Sequence, residues 1–460
     1  MSDSATRRAI LLVATMASFL FPFTGSAVNI ALPSLRKELL LDTVTLFWIP
    51  TAYLLSSATF LVPFGRVADI YGRKKIFSCG IVIFTISSFF AGMASSANIL
   101  ILCRIFQGIG GAMLAGTTIA LLTTVFPPNE RGRVLGINVA VTYTGLSLGP
   151  VLGGTLTHYL GWRSIFFSTA FLGLIVIGIV LWKLKGEWTG AKGARFDIVG
   201  SVMYSLGLAA LIYGFTLLKE SSERWLGMCS ILGGVLGLSA FVKWEMKTMS
   251  PILDMSLFRN NKTFTFSNLA ALINYSATWA VSLLISLYLQ DIRGFNSQEA
   301  GLILVAMPAT QAIFSPLAGR LSDRIEPRII ASAGMVLTTI GLVKFIFLGK
   351  ETALALIIAN LILMGLGFAF FSSPNTNAVM SSAPKMAYGV ASAMLSTMRQ
   401  IGMSFSMGVA MLIVSLYIGI AQNTPEYAQL MQQSMRTSFI VFAALCFGGI
   451  FASLARGKVH

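Results

Sequence analysis

The sequence predicts an all-α membrane protein of fourteen spanning helices, and three observations predict it. Hydrophobic residues make up 55% of the 460 and charged residues only 11%, well under half the charged share of an ordinary soluble domain. Apolar runs recur along the whole chain at a length that crosses a bilayer, which takes about 20 residues. The basic residues gather in short tracts between those runs instead of along one polar face. These features exclude a soluble enzyme, and a mean hydropathy of +0.79 leaves no room for a large extramembrane domain.

Taken in order, Met1–Arg8 precedes an apolar run at 9–32 that lacks a small-residue cleavage site and is too long for a signal-peptide core, so it is the first span. Runs follow at 46–65, 76–95, 98–126, 133–157 and 163–182, then at 197–218 and 225–243. The last six lie at 263–289, 299–319, 328–348, 353–372, 389–419 and 437–455. Pro22, Pro150, Pro308, Pro316 and Pro374 fall within or beside these runs and mark kinks, since neighbouring helices re-satisfy the freed backbone groups. An even number of spans puts both termini on one side. Placing them in the cytoplasm sorts about 22 of the 33 basic residues inward against about eight outward, so the net charge of +16 reads as a topology signal and not as a nucleic-acid footprint.

An internal repeat supports this count. Gly65-Arg66-Val67-Ala68-Asp69 closes the second span and Gly319-Arg320-Leu321-Ser322-Asp323 closes the tenth, about 254 residues later. Gln107-Gly108-Ile109-Gly110 in span four pairs with Met364-Gly365-Leu366-Gly367 in span twelve at nearly the same offset. The implied organisation is a six-helix bundle at 1–187, two inserted helices with an interfacial amphipathic segment at 188–262, and a second six-helix bundle at 263–460. That segment runs from Pro251 to Arg259. A parallel repeat of this kind suits a transporter whose substrate sits between the halves.

Three local patterns carry chemistry. Between spans two and three, Gly65 and Gly72 permit a tight turn and close helix approach, while Asp69 with Arg73, Lys74, Arg131 and Arg133 can form a charge network. An ordinary basic loop would explain the cations but not the Gly-Asp-Gly spacing. Within span four, Arg104 costs about 2.5–3.5 kcal/mol to insert and so faces the bundle interior, either as a functional group or bonded to backbone carbonyls. In span five, Gly145, Gly149 and Gly153 recur every fourth residue, Gly154 follows, and Pro150 adds a bend, giving one smooth face for close packing.

These motifs resemble the major facilitator superfamily, and within it the fourteen-span drug:proton antiporters of the EmrB/QacA type, over nearly the whole chain. The 65–75 segment resembles that family's loop between spans two and three, Arg104 through Gly108 its RxxQG motif, and the span-five segment its antiporter motif. Asn29 through Pro33 and Arg399 through Gly402 also fit the subfamily. The resemblance implies the major facilitator fold: two six-helix bundles and two extra central helices. It implies a latch at Asp69 that holds the outward-open state, with Gly319 and Asp323 as its repeat counterparts, and a role for Arg104 in proton transfer or gating. It further implies export of drugs by alternating access, as in multidrug resistance.

The pattern departs from the subfamily at Thr24, where relatives carry an acid five residues before the asparagine. No Asp or Glu lies near the middle of any expected span. An exchanger needs a group whose protonation alternates with substrate binding. Two routes stay open: titration of Asp69 within its network, or a neutral or anionic substrate attracted by Arg104 and Arg399. Asn29, Tyr53, Gln107, Tyr143 and Gln311, with Phe23, Asn274 and Trp279, stand on presumed cavity helices, where each serves either substrate contact or interhelical packing.

The expectation is a secondary active exporter of small amphipathic compounds that draws on the proton gradient and is neither an enzyme nor a cofactor binder. The alternatives are a metabolite or organic-anion carrier and, from another class, a membrane sensor or lipid-flipping protein. No G-x-x-x-x-G-K-[ST] loop argues for an ATP-driven pump. Cys79, Cys103, Cys229 and Cys446 stand singly, and no metal-ligand spacing involves them or His158. The expected partners are a small-molecule substrate and the lipid bilayer, with no nucleic acid, for a monomer in the inner membrane with both termini cytoplasmic.

Overall fold

The computed structural model describes residues 4–184, 186–190, 193, 195–217, 224–248, 250–253, 255, 258, 261–322, 324–383, 388–418 and 426–457. Among these residues the regular structure is entirely helical. The first six helices are α1 (Ser4–Leu39), α2 (Thr43–Tyr71), α3 (Arg73–Gly92), α4 (Ala97–Val125), α5 (Pro128–Leu160) and α6 (Arg163–Lys183). A pair follows, α7 (Ile198–Leu217) and α8 (Arg224–Glu245). The remainder are α9 (Lys262–Leu287), which runs into a π-helical turn at Tyr288–Ile292, then α10 (Ser297–Leu304) and α11 (Ala306–Ser322), α12 (Pro327–Ile346), α13 (Leu354–Ser382), α14 (Tyr388–Ile418) and α15 (Tyr427–Leu454).

Local chemistry sets the ends of these helices. Asp42 accepts the Val44 amide at 3.1 Å to open α2, and Asn296 with Glu299 forms a reciprocal capping box at the start of α10. Pro308 has no amide proton, and the rod formed by α10 and α11 breaks at Val305 just before it.

Twelve helices among the described residues are long and apolar enough to cross a membrane, counting α10 with α11 as one. This falls short of the fourteen expected from sequence at two places, α5 and α7. In α5 the side chains at 128, 129, 131–133, 135, 136 and 139 lie outside the described residues. In α7 the side chains at 215 and 216 lie outside the described residues, and the described apolar stretch covers Ile198–Gly214. Helix ends also move: α1 continues past 32 to Leu39, α9 with its turn continues past 289 to Ile292, and α15 begins at Tyr427 instead of 437. Four of the nine residues of the 251–259 segment expected on the membrane surface (254, 256, 257 and 259) lie outside the described residues.

The sequence repeat is a repeat of packing. A Cβ at Gly80 of α3 would lie 3.0 Å from the Gly110 carbonyl oxygen of α4, and one at Gly334 of α12 would lie 2.6 Å from that of Gly367 in α13. The same helix pairs thus touch backbone to backbone at equivalent glycines. Helices α7 and α8 join through their own glycines, Gly207 against Gly234, and stand outside this arrangement. Tyr204 of α7 donates to the Ala58 carbonyl of α2 at 2.9 Å, and a Cβ at Gly408 of α14 would meet Ile212 of α7 at 4.0 Å, so the pair lies along the seam where α2 meets α14.

Candidate functional site

A cavity of about 300 Å³ lies among α1, α2, α4, α5, α9, α10, α11, α13 and α14. Its lining residues fall at the middle of α1, α5 and α9 and, on α4 and α14, toward the end that carries the Gly72 turn. Two aromatic pairs form part of its wall, Phe21 with Tyr53 at 5.0 Å between ring centroids and Tyr275 with Phe368 at 5.2 Å. Of the residues expected on the substrate path, Asn29, Tyr53, Tyr143, Gln311 and Arg399 line the cavity, as does Trp279. Tyr143 of α5 hydrogen-bonds to Ser372 of α13 at 2.8 Å. Arg399 donates to the Thr376 hydroxyl at 2.6 Å and lies 5.6 Å from the Tyr275 ring centroid.

Three expected path residues lie elsewhere. Thr24 is fully buried, donates to the Leu20 carbonyl at 2.8 Å and meets Thr169 of α6 at 3.4 Å, so it faces α6. Arg104 and Gln107 do not line the cavity. Arg104 is fully buried, its Nε donates to the Ile49 carbonyl at 3.2 Å, and its Nη1 donates to Gln107, whose amide donates to Ser88 at 2.7 Å. The guanidinium sits 4.0 Å from the Tyr53 ring centroid. Tyr53 therefore has the cavity on one side and a sealed cation on the other. Phe23 and Asn274 are also buried away from the cavity lining.

The span-five glycines pack as their spacing requires. A Cβ at Gly145 would lie 2.6 Å from the Phe19 carbonyl oxygen and one at Gly153 would lie 2.7 Å from the Ala27 Cα, while one at Gly149 would collide with Ser26, so all three seat α5 on α1. Gly154 and Pro150 instead face α10: a Cβ at Gly301 would collide with the Pro150 carbonyl, and Ser297 donates to the Gly154 carbonyl at 3.2 Å. This contact joins the first six helices to the last group at the end remote from Gly72.

More contacts close that remote end. Ser286 donates to the Asn29 carbonyl at 3.3 Å and Gln290 to the Ile30 carbonyl at 3.1 Å. Arg36 at the end of α1 forms a 2.7 Å ion pair with Asp291 of the π-helical turn, and Tyr427 at the start of α15 donates to the same carboxylate at 3.1 Å while bonding to Arg36. The side chains of Arg36 and Asp291 are only 15% and 5% exposed.

At the opposite end, Asp69 and Arg73 pair at 2.7 Å, and Arg73 also donates to the Ala120 carbonyl at 3.1 Å and to Thr124 of α4. Gly72 sits at φ 124°, which ends α2 and starts α3. Lys74 takes part through its backbone: its amide and that of Lys75 donate to the Glu187 carboxylate at 2.8 and 3.1 Å. Trp188 and Gly190 bond to the same turn, at Arg73 N and Asp69 O. A Cβ at Gly65 meets open space, but Gly116 approaches its Cα, so Gly65 serves the contact of α2 with α4. In the repeat, a Cβ at Gly319 would lie 2.9 Å from Ser373 of α13. Asp323 and the side chains of Arg131 and Arg133 lie outside the described residues.

Residues 14–258 and 268–458 match the model of the Major Facilitator Superfamily. The chain belongs to this superfamily. It is a transport protein and not an enzyme, and an integral multi-pass membrane protein. It is 28% identical over 447 residues to the riboflavin transporter RibZ of Clostridioides difficile (strain 630), covering 97% of this chain and 96% of RibZ. It is 30% identical over 405 residues to the multidrug resistance protein Stp of Mycobacterium tuberculosis (strain CDC 1551 / Oshkosh), covering 87% and 74% of the two chains. The fold matches the crystal structure of a bacterial homolog to the human lysosomal transporter Spinster in an inward-facing and unoccupied conformation, with a TM-score of 0.71, 17% identity and 99% coverage of both chains.

Glu187, Ser88 and the Arg36–Asp291–Tyr427 cluster were not found from the sequence. Glu187 lies 113 residues from the turn it caps, and no local pattern connects the two. Arg456, two residues past the end of α15, is buried: it donates to Ser453 at 2.5 Å, and burial pushes its guanidinium down to about 9.

Proposed function

We propose that this chain is a secondary active exporter of small amphipathic compounds, working by alternating access with fourteen spans in two six-helix bundles and an inserted pair. The carrying observation is the cavity walled jointly by helices from both ends of the chain and held shut at the end remote from Gly72. With the basic Gly72 end cytoplasmic, as the Lys/Arg distribution favours, this arrangement faces inward in the inner membrane, with both termini on the cytoplasmic side. In this reading Asp69 and Arg73 brace the cytoplasmic turn through the transport cycle, Arg104 supports the cavity wall through Tyr53, and the proton gradient supplies the energy. The bundles divide near 187 and 262, and the protein acts as a monomer. Relatives named as a multidrug resistance protein and a riboflavin transporter support an organic substrate with polar and apolar parts.

The test is flux in proteoliposomes, with and without an imposed proton gradient, across a panel of cationic, neutral and anionic amphiphiles. Gradient-stimulated efflux is expected for at least one class. Asp69→Asn and Arg104→Gln should each abolish it while still inserting in the membrane. Wild-type flux in both variants would remove the assigned roles, and flux indifferent to the gradient would make the protein a facilitator.

A further inference from the structure

The cavity has a one-sided charge. Among the described residues that line it, Arg399 is the single charged side chain, and none is Asp or Glu. The guanidinium is held in place by Thr376 and Tyr275, yet its Nε has no hydrogen-bond partner. Gln311, which lines the same cavity and is 1% exposed, likewise leaves its side-chain nitrogen without a partner. Of the three unmatched polar groups on the lining, two are thus donors and the third, Asn29 Oδ1, is an acceptor, and buried donors without acceptors are costly. A ligand that presents acceptors would relieve them, and an ionised acceptor opposite a guanidinium gives the strongest form of that bond.

We propose that the cavity binds planar aromatic anions, with the acidic group set against Arg399 and the rings against the Phe21–Tyr53 and Tyr275–Phe368 pairs. The inference rests on the exporter reading only in taking this cavity as the substrate's seat. An organic cation would lose its hydration beside a fixed like charge, with no carboxylate among the described lining residues to offset the loss. Aromatic faces attract cations, but the Tyr275 face already carries Arg399. An anion also suits a cavity with no acid among its described lining residues. The ligand itself brings the negative charge, so the protein supplies the positive one.

The test uses the full-length purified protein and two xanthene dyes of matched ring size, anionic fluorescein and cationic rhodamine 123, with dissociation constants read by fluorescence anisotropy. Fluorescein should bind the wild type at least about tenfold more tightly than rhodamine 123. Arg399→Gln should weaken fluorescein about tenfold or more and leave rhodamine 123 unchanged or tighter, with Arg399→Lys in between. Tighter binding of rhodamine 123 by the wild type, binding of neither dye, or a fluorescein preference that survives Arg399→Gln would each overturn the proposal. Because the wild-type preference is itself decisive, a variant that fails to fold does not rescue it. Binding of fluorescein without flux would remove the exporter reading and leave this one standing, whereas flux of rhodamine 123 without fluorescein binding would do the reverse.

Discussion

Gly72 is where single-residue chemistry bears most directly on the fold. Its φ of 124° is open to glycine and strained for other residues, and a Cβ there would lie 2.5 Å from the Glu187 carboxyl carbon. Gly72→Ala should therefore lower stability by about 1–3 kcal/mol. Glu187→Gln keeps the turn and loses only charge at the start of α3, so it should cost about 0.3–1 kcal/mol. Thermal unfolding in detergent compares the two, and equal losses would count against the backbone argument. The sequence made Gly72 and Asp69 legible because their spacing is local, and it hid Glu187 because the capping carboxylate arrives from a distant connection. Thr24 misled for a helical reason. Five residues rotate a helix by about 140°, so Thr24 faces α6 while Asn29 faces the cavity. Arg104 was read as interior, and of the two alternatives weighed for it the structure shows a bond to a backbone carbonyl together with a stack on Tyr53.

At the scale of helices, legibility followed apolarity. The apolar runs located the rods well and stopped where polar residues began, although the helices continue. Arg36, Asp291 and Tyr427 all stand on such continuations, and for that reason the cluster that clasps α1 to α9 and α15 was invisible. Removing one partner of a buried ion pair costs about 3–5 kcal/mol in the state that holds it. Asp291→Asn should thus shift the protein toward an arrangement open at that end. Spin labels on the ends of α1 and α15, read by double electron–electron resonance, should show a longer-distance population absent from the wild type; an unchanged distribution would deny the clasp a role in closure. The glycine stripe of α5 was read as a packing face, and its partner α1 emerged only in three dimensions.

For the whole molecule, the repeat in the sequence corresponds to a repeat in helix contacts, so the helical repeat was legible in the spacing, while the fold itself came from composition and from the motifs' resemblance. The position of α7 and α8 beside the α2–α14 seam was not, because a lipid-facing helix pair has no polar periodicity to fix its neighbours. The one-sided charge of the cavity carries a consequence for energetics. An inside-negative potential drives a monovalent anion outward with about 2.3 kcal/mol per 100 mV, or roughly fifty-fold in the equilibrium ratio. Fluorescent anion efflux from proteoliposomes should therefore rise with a potassium diffusion potential even at equal pH on both sides, and efflux that responds to pH alone would exclude electrical driving.

The remote end is joined by two kinds of contact that differ in what can loosen them. Arg36 and Asp291 hold through opposite charge, while Gly154 and Gly301 let the α5 and α10 backbones meet with no side chain between them. A change of charge releases the first and leaves the second intact, because shape-matched backbones carry no group to protonate or screen. Neutralising the ion pair thus biases the closed end without abolishing it. The transporter retains a resting state that ionic conditions tune but cannot erase.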